Sequence, residues 1–174
     1  MIIYKDLITG DEMFTDSTKI KLIDDCLYEV YCKHVTRKQG EIILPGANPS
    51  AEGEDEDGGG DAQVESGLDI VLNQQLIETS FNKSDYKNYL KTYTKALQAK
   101  WKEMGKSDEE LEEHKTKFME AVKKVLPKLD EASFFMGSSS NPDGMVAVLE
   151  YRDLPEGEQP IMLFYKHGLE AEKV

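Results

Sequence analysis

"SDYKNYLKTYTKALQAKWKEM", Ser84–Met104, is the stretch on which the fold turns. Tyr86, Tyr89, Leu90, Tyr93, Leu97, Trp101 and Met104 recur every three or four residues, the spacing of one face of an α-helix. Gly105 ends that helix. Ser107, with Glu110 three positions on, forms a capping-box pattern that opens a second helix, whose apolar face is Leu111, Phe118, Val122, Val125 and Leu129. So short a break makes the pair an antiparallel hairpin. The flanking sequence is of another kind. "MIIYKDLITGDEMFTDS" reads as two short strands about a turn at Thr9, Gly10 and Asp11, and "IKLIDDCLYEVYCKHVTR" with "GEIIL" as a longer hairpin. "GLDIVLNQQLIETSF" continues as strand, and "ASFFMG", "GMVAVLEYRD" and "PIMLFYKHG" supply three more strand-like runs. Strands around one inserted helical pair make an α+β fold. The 174 residues are read as a single domain, 1–174, with the helical hairpin at 84–129.

Between the strands lies "PGANPSAEGEDEDGGGDAQVESG", Pro45–Gly67. Its largest apolar residue is Val64, and six acids crowd Glu52–Asp61 beside Gly58, Gly59 and Gly60. Such a segment buries too little to offset the entropy of ordering it, so a long mobile acidic loop is expected at 45–67. Charge is divided just as unevenly over the whole chain. The net value is −13, yet Lys83–Lys128 holds 12 lysines against 8 acids, and the remainder 9 basic against 26 acidic side chains. A basic module sits on an acidic body, and the total argues against nucleic acid or an anionic membrane as the general partner.

Lys83, Lys87, Lys91 and Lys95 are spaced four apart, which stacks their ammonium groups along one helix face. That row is either a solvated face or a docking surface for an acidic partner, and an acidic protein tail fits it better than nucleic acid. Tyr86, Tyr89 and Tyr93 are read as core. The start, "MIIYKDLITG", has no basic-then-apolar leader, and no apolar run reaches the ~20 residues of a membrane span, so the cytosol is the expected compartment. Cys26 and Cys32 lie six residues apart on one strand, about 20 Å, too far to bridge each other or share a metal; buried reduced thiols are expected.

Catalytic patterns are missing. His34, His114 and His167 are scattered, and the chain contains no CxxC, HExxH, GxSxG or phosphate-binding glycine loop. "SSNPDGMVAVLE", from Ser139, places oxygen side chains near the spacing of a calcium loop but lacks the first aspartate. Pro142 and the strand-like residues after it imply a β-turn instead.

Four stretches, "MIIYKDLITGDEMFTDS", "GANPSAEG", "GLDIVLNQQLIETSF" and "FFMGSSSNPDGMVAVLEYRD", together resemble the translationally controlled tumor protein (histamine-releasing factor) family over the full length and in order. "GANPSAE" and "FFMG…NPDGMVA" correspond to that family's two signatures. The resemblance implies a tent-like β body of mixed sheets with a helical hairpin projecting from it and a long mobile loop. It implies a non-enzymatic protein that binds calcium and microtubules, contacts a Rheb-type small GTPase in growth control, and engages apoptosis regulators. Nucleotide exchange on that GTPase, or chaperoning of it, is the alternative. Cytoplasmic residence with secretion that needs no signal peptide is also implied. The body resembles zinc-binding chaperones of small GTPases, but their cysteine pairs are absent here, so no zinc is expected.

Carried over by position, the resemblance assigns Glu12 to the GTPase, Asn48 and Glu52 to weak calcium binding, and the Lys83, Lys87, Lys91 and Lys95 row to tubulin or another acidic partner. It also implies a glutamate after Gly137, where this chain has Ser138.

Overall fold

The computed structural model describes residues 1–38 and 64–173, so Asn48, Glu52 and most of the 45–67 segment lie outside the described residues. Strand β10 (Gly157–Tyr165) organises the rest, because Pro160 to Tyr165 are buried without interruption. Side chains alternate across a strand, so a run buried on both faces needs a layer on each. One layer is a small sheet of β1 (Ile2–Asp6), β2 (Glu12–Thr15) and β11 (Leu169–Lys173), with β1 in the middle. Phe14 from β2 packs against Phe164 with ring centroids 4.6 Å apart. The other layer is the helical hairpin, from which Phe118 and Tyr93 reach Tyr165, at 5.1 and 6.3 Å.

β10 itself belongs to a six-stranded sheet. Its other members are β3 (Ile20–Ile23), β4 (Leu27–Tyr31), β7 (Ile77–Thr79), β8 (Ser133–Met136) and β9 (Ala147–Leu154). The order is β3-β4-β10-β9-β8-β7. A separate ribbon pairs β5 (His34–Lys38) with β6 (Val64–Leu68). Every pairing among the described residues is antiparallel, so the sheets are mixed in size and not in direction. Together with the helices this is the α+β architecture expected from the sequence.

Helices α2 (Lys83–Glu103) and α3 (Asp108–Val125) fall where the periodicity puts them. Ser107 Oγ accepts from Glu110 N at 3.2 Å, and Glu110 Oε1 accepts from Ser107 N at 3.0 Å, which completes the capping box. Gly105 turns the chain at φ +84°, a conformation that suits a residue without a Cβ. The hairpin does not stand clear of the body as the resemblance implied. Tyr86, Leu90, Tyr93, Leu97 and Trp101 are buried along four turns of α2, and Phe118, Ala121, Val122 and Val125 along α3. Each such large side chain removed from water contributes about 1.5–3 kcal/mol, which favours laying the hairpin flat.

Three local expectations are corrected. "GLDIVLNQQLIETSF" is not one strand: β6 ends at Leu68, a short helix α1 (Asp69–Gln74) follows, and only Ile77–Thr79 returns to sheet. Its short apolar run suits a single helical turn that buries Ile70 as well as it suits a strand, and Gln75, left-handed at φ 57°, stops it. Val64–Gly67, read as the end of the mobile loop, is instead ladder, with Val35 opposite Gly67 and Lys38 opposite Val64. Finally, "CLYEVYCKHVTR" breaks at Cys32 and Lys33 and changes sheets. Lys33 N donates to Asp69 Oδ1 at 3.0 Å, and Asp69 N donates back to Lys33 O at 2.8 Å.

Candidate functional site

The turn between β1 and β2 leads into Glu12, the first residue of β2, and two aspartates fasten that turn to the loop after β8. Asp6 is buried; its Oδ1 accepts from Ile8 N at 2.8 Å and its Oδ2 from Met145 N at 2.7 Å. Burial raises the Asp6 carboxyl above the ordinary carboxylate range, while the backbone N–H groups of Met145 and Ile8 pull the other way. Asp11 Oδ2 accepts from Ser139 Oγ at 2.6 Å and from Ser139 N at 3.3 Å. Two glycines permit the approach: a Cβ on Gly144 would lie 2.5 Å from Asp6 Oδ2, and one on Gly137 would collide with Asp11. Segments more than 120 residues apart in sequence thereby become one rigid corner.

Glu12 stands at the rim of that corner, exposed and in register with Lys5, whose ammonium pairs with Glu172 at 2.5 Å. No hydrogen bond or ion pair among the described residues engages the Glu12 carboxylate. Beside it is a polar hollow of about 280 Å³, lined by Gly10, Asp11, Glu12 and Ser138, with Asn73, Gln74 and Gln75 from the unforeseen helix α1. Amides and carboxylates without an apolar floor suit a partner's Lys, Arg or backbone better than a small apolar substrate. Where the resemblance implies a glutamate, Ser138 leaves the negative charge of the hollow to Asp11 and Glu12.

A second surface lies on the outer side of the hairpin. Lys83 is 3.8 Å from Asp130, whereas Lys87, Lys91 and Lys95 are exposed and form no ion pair among the described residues. Lys87 and Lys91 edge an open apolar groove of about 260 Å³ between the helices, floored by Leu90, Val122 and Leu126 and bounded by Met119. The lysine row was visible in the sequence. The groove was not, because half of its wall comes from the facing helix.

Several other ionisable groups are buried or paired. Cys26 and Cys32 are free and buried; burial is the main cause that raises both thiols, Cys32 to about 12, so both are inert at neutral pH. Another hollow, about 610 Å³, is lined in part by Glu150, but this carboxylate is held by Arg152 at 2.7 Å and Lys128 at 3.1 Å. His114 and His167, far apart in sequence, meet with ring centroids 4.8 Å apart, and Trp101 lies edge-on to His114. Burial and the neighbouring His114 push His167 down to about 4, so this imidazole is neutral near pH 7.

Among the described residues no cluster of three or more His, Cys, Asp or Glu side chains is arranged to hold a metal ion. Asn141 Oδ1 accepts from Asp143 N at 2.9 Å, and β9 follows directly, the β-turn expected in place of a calcium loop.

A family model described as "Translationally controlled tumour protein" matches residues 1–170. The translationally-controlled tumor protein homolog of Grammostola rosea is 68% identical, and that of Loxosceles intermedia 67%, each over the whole of both chains. Among solved structures, the translationally controlled tumor-associated protein p23fyp of Schizosaccharomyces pombe superposes with a TM-score of 0.75 at 38% identity, covering all of both chains. The Caenorhabditis elegans protein of the same family gives 0.69 at 38% identity, covering all of this chain and 99% of the other.

Proposed function

Because the chain belongs to the translationally controlled tumour protein family, we infer that it acts as a non-enzymatic binding protein with two separate contact surfaces. The Glu12 corner serves a Rheb-type small GTPase, and the Lys87, Lys91 and Lys95 row serves tubulin or another acidic protein. Apoptosis regulators are further partners, Asn48 and Glu52 collect calcium weakly, no zinc is held, and the protein works in the cytoplasm with secretion outside the signal-peptide route. No described helix is long and apolar enough to cross a membrane.

One observation carries this reading: the exposed Glu12 carboxylate and the exposed Lys87, Lys91 and Lys95 row present opposite signs on two separate surfaces, with no ion pair among the described residues, while the buried thiols are inert and the Glu150 carboxylate is compensated. Nucleotide exchange is the second reading. Glu12 opens β2 directly after a turn pinned by Asp6 and Asp11, and a carboxylate held in this way can compete for a nucleotide's magnesium without any catalytic triad.

Stopped-flow nucleotide release from the GTPase, with wild type and Glu12→Ala, separates the readings. Unchanged release with weakened binding in the variant supports passive contact, and acceleration by wild type alone supports exchange. For the lysine row, Lys87→Gln, Lys91→Gln and Lys95→Gln together should reduce microtubule co-sedimentation, with a steep loss on adding salt. Unchanged co-sedimentation would end that assignment. Calorimetric titration with millimolar calcium tests Asn48 and Glu52.

A further inference from the structure

The outer face of the hairpin is more than a row of charges. Leu90 from α2, with Val122 from α3 and Leu126 just past its end, leaves an apolar trough between the helices, and Met119 at its edge is 40% exposed. Lys87 and Lys91 stand on the α2 rim, about 6 Å apart along the axis. Exposed Lys115 and Lys123 lie one turn to either side of Met119 on α3. At about 260 Å³ the trough is smaller than a typical small-molecule site but has room for one or two large side chains.

We propose that this trough is a docking groove for an acidic amphipathic protein segment, which inserts a leucine-like side chain between Leu90 and Val122 while its carboxylates meet Lys87 and Lys91. The inference rests on the lysine row being a contact surface and adds what makes the contact selective. Exposed ion pairs alone are weak and screened by salt, whereas an apolar anchor is not. Helix-in-groove recognition combines the two. Charge complementarity chooses the occupant. A second copy of the chain would bring an acidic body, but its exposed Leu22 and Ile77 lie on strands β3 and β7, not on an acidic helical face. Nucleic acid would need exposed aromatic platforms, yet Tyr86 and Tyr93 are buried. A lipid surface would need several apolar residues that protrude together, whereas Leu90 and Val122 are recessed beside the exposed Met119.

The test uses the full chain and two synthetic peptides of equal length and negative charge. One carries leucines at positions i and i+4 among glutamates; the other has serine in both places. The leucine peptide should bind about tenfold more tightly. It should shift the methyl resonances of Leu90, Val122 and Leu126, which the serine peptide leaves in place. Met119→Ser should shrink the difference between peptides, and Lys87→Gln with Lys91→Gln should weaken both. Equal affinity for the two peptides would overturn the groove and leave the lysine row standing; failure of both to bind would overturn the two together. Concentration-dependent shifts of the same methyls without peptide, or binding to anionic vesicles that blocks the leucine peptide, would assign the trough to another occupant and overturn the proposal.

Discussion

On its inner face α2 carries Tyr86, Tyr93, Leu97 and Trp101; on its outer face it carries Lys87, Lys91 and Lys95. The inner side is fastened polar atom by polar atom. Tyr86 Oη donates to Val146 O at 2.9 Å and lies 2.7 Å from Tyr165 Oη. Tyr89 Oη donates to Gly144 O at 2.6 Å and accepts from Val146 N at 2.8 Å, and Trp101 Nε1 donates to His167 O at 3.0 Å. The outer side makes none of these commitments. One helical period therefore separates what stability needs from what a partner can use, and each face can be altered with little cost to the other.

The largest way to break that contrast is Trp101→Ala, which empties a fully enclosed site and removes the bond to His167. It should cost about 3–5 kcal/mol in urea unfolding. A cost below that of a surface change would mean the hairpin is not seated on the body. Tyr89→Phe should follow at about 1–3 kcal/mol, because the Gly144 carbonyl and Val146 N–H lose their partner together. Faster amide exchange at Val146 is the accompanying sign.

Acid should attack the same seam at its far end. His167, facing His114, Lys166, Asp25 and Lys117, binds its proton near pH 4 when folded and near 6.5 when unfolded. The unfolded chain then holds more protons between those values, so the contribution of this group is complete above pH 6.5 and is lost as pH falls toward 4. With partial solvent contact discounted, the loss is about 1–2 kcal/mol, and His167→Gln should flatten this part of the pH–stability curve. The smallest effect belongs to the outer face. Replacing Lys87, Lys91 and Lys95 by glutamine should move unfolding by no more than about 0.5 kcal/mol, with relief of like-charge repulsion favouring the variant. A large destabilisation would show that this face is structural after all.

What the sequence discloses follows from the range of the interactions involved. The helices, their capping box and the β1–β2 turn depend on neighbours within a few residues, and all were legible. Helix α1 was not, because a short apolar run satisfies either period and the decision fell to Asp69, which exchanges hydrogen bonds with Lys33 across 36 positions. The same holds at the Glu12 corner. The turn and its exposed carboxylate could be placed from sequence, but the grip of Asp6 on Met145 and of Asp11 on Ser139 spans more than 120 positions and leaves no local pattern. His114 and His167 looked unrelated for the same reason. A trough shared by two helices shows only as two unremarkable apolar faces until they are set side by side.

The central position of β10 bears on how the molecule is made. β4 pairs with β10, and β1 pairs with β11, so strands from the first 31 residues wait for partners beyond position 156. Closing loops of that size must precede the contacts that reward it, which slows folding. While the chain is still leaving the ribosome, Leu27 and Val30 have no cover and β4 has an unpaired edge open to neighbouring nascent chains. The native partner of this edge is among the last strands to be synthesised, so the interval lasts for most of the chain's synthesis.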